Sequence, residues 1–110
     1  MKNSDFNQIV SEGLEKTKAT LISKADEYAR GDRLSNFKQM SALLRVSPEK
    51  ALFSLVSKHI VAISDFVNDI EFSDKVQSYE RWNEKIGDII AYMTLLDAMI
   101  MERLGDAPRS

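Results

Sequence analysis

Glu84 and Asp88 stand four residues apart in the segment Trp82-Asn83-Glu84-Lys85-Ile86-Gly87-Asp88-Ile89-Ile90-Ala91-Tyr92. On a helix they share one side. That side continues through Tyr92, Leu95 and Met99, so two acids interrupt an otherwise apolar strip. Burying paired charge is costly unless a metal, a base or a hydrogen-bond network compensates it. The pair therefore reads in two ways. It is a candidate metal or ligand site, or it is a solvated helix start whose acids complement the positive end of the helix dipole.

A second set of polar residues lies on the preceding helical segment. Ser54, Lys58, Val61 and Asp65 follow one line. Lys58 offers a point charge to a phosphate, and Asp65 can hold Mg²⁺ or orient a sugar hydroxyl. The alternative is a solvated face with a weak ion pair. His59, the one histidine, sits at the border of the apolar face, where imidazole serves either as a packing residue or as a base. The charged run Lys24-Ala25-Asp26-Glu27-Tyr28-Ala29-Arg30-Gly31-Asp32-Arg33 is dense around one aromatic ring, with Asn36 and Phe37 just beyond. As a site wall it supplies Asp26, Tyr28, Arg30 and Asn36, and an amide beside an aromatic face can read and stack on a base. As a helix end it needs no ligand. No glycine-rich phosphate loop exists, because the four glycines are scattered. No nucleophile elbow supports a hydrolase triad.

These residues need helices to hold them. The apolar positions fall on helical spacing throughout, which predicts an all-α fold of three long helices and one short one. Phe6, Ile9, Val10, Leu14, Leu21, Ile22, Ala25 and Tyr28 mark a long first helix, with Gly31 as its stop. Leu34, Phe37, Met40, Leu43 and Leu44 mark a short second one ending near Val46. Ser47-Pro48-Glu49 is the clearest boundary: a capping hydroxyl, a proline suited to the first helical position, and an acid at the positive end. The third helix then turns Leu52, Leu55, Val56, Ile60, Ile63, Phe66 and Val67 inward and frays near Asn68-Asp69. Residues 70–79 read as an internal loop that Phe72, Val76 and Tyr79 pin to the body. The fourth helix runs from about Glu80 to Leu104, with Gly105 as its stop and residues 106–110 as a frayed tail. This helix is apolar nearly all round. Its narrow strip of Gly87, Ala91, Thr94 and Ala98 would admit another backbone closely. A homo-oligomer, or coverage by the first and third helices, would complete its burial.

With 110 residues the chain is read as one domain, residues 1–110. A net charge of −2 leaves no basic footprint for nucleic acid. The absence of cysteine excludes disulfides, thiolate nucleophiles and zinc knuckles. The polar start Met1-Lys2-Asn3-Ser4-Asp5 lacks an apolar signal region, and the longest apolar run, Ile89 to Met101, is too short to span a bilayer. The expectation is a cytoplasmic protein.

Five separated motifs carry a resemblance: Asp26-Glu27-Tyr28, Asp32-Arg33-Leu34-Ser35-Asn36-Phe37, Ser47-Pro48-Glu49-Lys50-Ala51-Leu52, Lys58-His59 with Asp65, and Trp82-Asn83-Glu84-Lys85-Ile86-Gly87-Asp88. In order and approximate spacing, over about residues 24 to 96, they resemble a group of small phage and prophage proteins. That group is similar to the nucleotide-modification-associated helical domains and, more distantly, to the all-α nucleotide pyrophosphohydrolases of the MazG and dimeric dUTPase type. The distant resemblance implies an oligomeric helical bundle with Mg²⁺ held by carboxylates from two helices, and metal-activated water attacking a phosphoanhydride. Gly87-Asp88 matches the end of that family's acidic helix motif. The family places a glutamate three residues earlier, where this chain has Lys85; Glu84 is one position further away. Where the family's other helix carries clustered glutamates, this chain carries Lys58, His59 and Asp65.

Three functions follow. The first is a binder of a nucleotide or phosphorylated nucleotide-like ligand, held in a polar cavity by Asp26, Tyr28, Arg30, Asn36, Lys58, His59, Asp65, Lys85 and Tyr92. The second is a Mg²⁺-dependent pyrophosphohydrolase, with Glu84 and Asp88 on the metal. The third is a non-catalytic interaction module. The broken metal motif favours binding. The same reading places Glu84, Asp88, Lys58 and Asp26 around one polar cavity.

Overall fold

The computed structural model describes residues 1–23 and 31–108. It is all-α, with no strand among the described residues: three long helices and one short one, α1 (Asn3–Ser23), α2 (Ser35–Leu44), α3 (Pro48–Ser73) and α4 (Tyr79–Leu104). The chain separates into two compact units, Met1–Arg33 and Leu34–Ser110.

In the first unit, α1 is a single helix whose apolar residues Phe6, Ile9, Val10, Leu14 and Ile22 are all exposed. Gly31 takes a φ of +70°, a left-handed conformation natural to glycine.

The second unit is a bundle of α2, α3 and α4. Local chemistry sets its boundaries. The Ser47 hydroxyl accepts from the Lys50 amide at 3.1 Å, with Pro48 in the first turn. Ser78 caps α4 in the same way, accepting from the Arg81 amide at 3.3 Å. Gly105, at φ +77°, ends α4. Arg45 and Asp74 end α2 and α3 in the same left-handed conformation without being glycine.

α3 continues to Ser73, beyond the expected end at Asn68-Asp69, so the connection to α4 is only residues 74–78. No proline or glycine stops the helix at Asn68. The Asp69 carbonyl accepts instead from the backbone of the cap, the Lys75 amide at 3.1 Å. Phe72, Val76 and Tyr79 do not pin this connection; all three are exposed. Gln77 and Arg81 do. Gln77 donates to the Asp69 carboxylate at 3.0 Å and accepts from Arg81, whose guanidinium lies 5.2 Å from the centre of the Phe66 ring.

The α3–α4 pair is antiparallel, fixed by contacts at successive levels. Glu49 meets Arg103, His59 meets Asp88 and Tyr92, and Phe66 packs edge-on against Trp82 with ring centres 5.1 Å apart. Leu34 and Phe37, from the start of α2, join Leu52 and Met99 in the core, with Met40, Leu55, Tyr92, Leu95 and Leu96 packed around them. Leu52 and Val56 are fully buried. Ile60 and Val67, expected inward, are instead 44% and 50% exposed. The apolar arc of α3 is wider than α2 and α4 can cover. α3 is also the described helix that is long and apolar enough, by length and composition, to cross a membrane. Ala51, Leu52, Val56 and Phe66 on it are nonetheless buried.

Candidate functional site

The structure brings together two of the polar residues singled out in the sequence, one from each long helix. His59 on α3 and Asp88 on α4 lie at the middle level of the antiparallel pair. Nδ1 of the imidazole is 3.5 Å from Oδ2 of the carboxylate. That is within ion-pair range but makes no hydrogen bond, so Nδ1 remains a buried nitrogen without a hydrogen-bond partner. Among the described residues it is the one buried side-chain polar atom so left. The Tyr92 ring, one turn beyond Asp88, is tilted against the imidazole with centres 5.6 Å apart.

The asymmetry of this environment matters chemically. The His59 side chain is 19% exposed and Asp88 is 45% exposed. With Nδ1 sealed inside, the edge of the ring that meets solvent carries Nε2. A carboxylate facing Nδ1 favours the tautomer with its proton there, leaving the Nε2 lone pair outward as a base or a metal ligand; an imidazole with a proton on Nε2 donates to an anion.

Of the other polar residues singled out in the sequence, Lys58 and Asp65 are exposed on α3, Glu84 is exposed on α4, and Lys85 is partly buried. Asn36 is exposed on α2. Asp26, Tyr28 and Arg30 lie outside the described residues. No three His, Asp or Glu side chains among the described residues converge on a point that would hold a metal ion. Glu84 and Asp88 come from adjacent turns of one helix, with His59 the nearest donor from another. This donor set does not make the cage that two-helix carboxylate metal sites use, so no step through Mg²⁺ is derived from it.

A second polar region went unforeseen. A shallow cleft of about 280 Å³ has Leu34 and Met99 in its walls. Two ion pairs frame it: Lys38 Nζ to Glu102 at 2.7 Å, and a two-pronged contact of Arg103 with Glu49, whose second arm is 2.8 Å. The guanidinium beside Glu49 holds that carboxyl below its ordinary value, and the carboxylate in turn raises the Arg103 pKa. Each positive charge here is matched by an acid, so the cleft offers no surplus charge to an anionic ligand. Its residues lie 54 positions apart in the case of Glu49 and Arg103, and no local pattern signals their meeting.

Comparison with protein-family models, with curated proteins and with solved structures finds no match.

Proposed function

We propose that the protein binds a nucleotide or a related phosphorylated small molecule at the His59–Asp88–Tyr92 cluster, as a homo-oligomer. The observation that carries this reading is the buried, unpartnered Nδ1 of His59 facing a carboxylate while the opposite edge of the ring meets solvent. An orphaned buried nitrogen costs free energy that a purely structural side chain would not impose. Its retention is explained if the outward nitrogen engages a ligand. The outward Nε2 of His59, when it carries a proton, donates to a phosphate oxygen. Lys58, the chain neighbour of His59, and Lys85 add positive charge on α3 and α4, and Tyr92 adds an aromatic ring. The five sequence motifs resemble small phage and prophage proteins that are in turn similar to the nucleotide-modification-associated domains, which is the same ligand class.

The rival reading is a Mg²⁺-dependent pyrophosphohydrolase of MazG-like type with Glu84 and Asp88 on the metal. It needs a third carboxylate, and the described residues bring none to these two. Binding without turnover therefore accounts better for the chemistry present.

A thermal-shift series with nucleoside mono-, di- and triphosphates, with and without Mg²⁺, tests the proposal, because a ligand that binds the folded state raises its midpoint by mass action. A nucleotide should raise the midpoint of the wild type, and His59→Ala should abolish the shift. Absence of a shift with every nucleotide at millimolar concentration refutes binding. Mg²⁺-dependent release of pyrophosphate, lost in Asp88→Asn, would favour the enzyme.

A further inference from the structure

Residues on the contact side of the α3–α4 pair repeat every seven positions: Leu52, His59 and Phe66 on α3, and Tyr92 and Met99 on α4, with the half-buried Lys85 seven positions before Tyr92. The residue after each of these is large, apolar and exposed. Phe53, Ile60 and Val67 on α3, and Ile86, Met93 and Ile100 on α4, are between 37% and 54% exposed. One step along a helix is a turn of about 100° in a fixed sense. In an antiparallel pair, the same sense of rotation away from the contact line leads on both helices to the same face. The six residues therefore form one apolar face. It is the face away from α2, because Glu102, which α2 reaches through Lys38, lies about 200° round α4 from Ile100.

The register of the pair, set by Glu49 with Arg103, His59 with Asp88 and Phe66 with Trp82, interleaves the two rows. Down the face the order is Ile100, Phe53, Met93, Ile60, Ile86, Val67, one rung about every 5 Å. A strict seven-residue repeat of apolar side chains is the pattern that accepts helices by knobs-into-holes packing. The six side chains span about 25 Å of the two helices on a strip about 20 Å wide, so the ~800 Å² per partner of a standard stable interface draws in the flanking residues of both helices as well.

We propose that a second copy of this chain covers this face, with α3 of each subunit laid antiparallel on α4 of the other about a twofold axis along the helices, making a four-helix interface. Charge at the rim argues for a second copy over a foreign helix. Lys50 lies on the outer flank of the α3 row and Asp97 on the outer flank of the α4 row. Glu49 beside Arg103 puts the start of α3 level with the last turns of α4. The twofold therefore carries Lys50 of the partner subunit to within about one turn of Asp97, and does so twice. The rows are equal in length and self-complementary, as an isologous interface requires. This inference deepens the homo-oligomer part of the proposed function and is independent of the ligand: a monomer that binds nucleotide would overturn it together with the homo-oligomer part and leave the ligand reading standing.

Light scattering on the full chain should give twice the chain mass. Ile60→Glu combined with Met93→Glu should give the monomer at the same concentration with helical circular dichroism retained, since both positions are already solvent-exposed in one chain. Lys50→Glu should weaken the dimer at least fivefold, and adding Asp97→Lys should restore it. The chain has no cysteine, so a cross-link reads the geometry directly without relying on the glutamate variants. Lys50→Cys chains mixed with Asp97→Cys chains should be joined by a short bis-maleimide. A wild type that stays monomeric at about 0.2 mM overturns the proposal. So does a folded glutamate double variant that remains dimeric, and so do mixed cysteine chains that associate yet are not joined.

Discussion

Replacing His59 by phenylalanine separates a ligand-binding imidazole from a structural one. The substitution keeps a ring against Tyr92 and removes a buried nitrogen that has no hydrogen-bond partner. Leaving such an atom unsatisfied costs about 1–3 kcal/mol, and phenylalanine recovers that. Two terms oppose the gain. The attraction to Asp88 across 3.5 Å is lost, but the acid is 45% exposed, and ion pairs so open to water contribute about 0–1 kcal/mol. The larger ring also needs room, which the solvent-facing edge supplies. The net expectation is a stability unchanged or raised by about 1 kcal/mol, together with loss of the nucleotide-induced thermal shift. Urea unfolding followed by the fluorescence of Trp82, the one tryptophan, reads the first quantity, because Trp82 packs on Phe66 at the next level of the same helix pair. A rise in midpoint at constant slope reports stability alone. A loss of more than about 1 kcal/mol would mean that Nδ1 is satisfied in the folded protein, and the reasoning from an orphaned nitrogen would fail.

Leu52 is fully buried in the cluster with Leu34, Phe37 and Met99, so Leu52→Ala should cost about 3 kcal/mol in chemical denaturation; a loss under about 1 kcal/mol would contradict the packing. The Glu49 carboxyl is held below its ordinary value of 4.5, chiefly by its hydrogen bond to Arg103. Its stabilisation is therefore complete above 4.5 and lost as pH falls through the depressed value, while Arg103 stays charged throughout. Stability of the wild type should fall more steeply on acidification below 4.5 than that of Glu49→Gln, and parallel curves would exclude the linkage. Asp74→Gly, at a φ of +49°, should stabilise α3's end by about 0.5–1 kcal/mol, measured as a rise in thermal midpoint.

What the sequence disclosed is what short-range chemistry controls. The start of α3 was legible because a hydroxyl, a proline and an acid act on the adjacent backbone. The end of α4 was legible because Gly105 can turn left-handed at no cost. The end of α3 was not. Asn68, Asp69 and Glu71 look like a polar finish, but Asn68 and Glu71 are exposed and Asp69 is tied to Gln77, on a helix that nothing stops. The real cap is Asp74, a residue that reaches the left-handed region less readily than glycine. Burial was legible as a demand and not as an assignment. Periodicity showed a wide apolar arc on α3, but not that α2 and α4 would leave Ile60 and Val67 open. For the candidate site, helical spacing placed His59 at the border of one face and Asp88 on the polar interruption of another. Only the register of the two helices could bring residues 59 and 88 to one level, and that register depends on packing along the whole hairpin.

The same register constrains how the His59–Asp88 level is interpreted. Along the α3–α4 seam the levels on either side are apolar or aromatic: the Leu52 and Met99 cluster above, the Phe66 and Trp82 pair below. One polar layer in an apolar seam lowers stability, and a helical pair can retain such a layer to fix its alignment. That role and ligand binding make different demands. A layer kept for alignment acts through a satisfied polar contact, and removing it frees the helices to slip by a heptad. Here the contact is unsatisfied on the nitrogen side, and alignment is held independently by the Glu49–Arg103 pair and by Arg81 over Phe66. His59→Phe should therefore leave the fold unique, with a single sharp unfolding transition and dispersed methyl resonances. A broadened transition with averaged resonances would assign the layer to alignment and remove the main support for a ligand at this level.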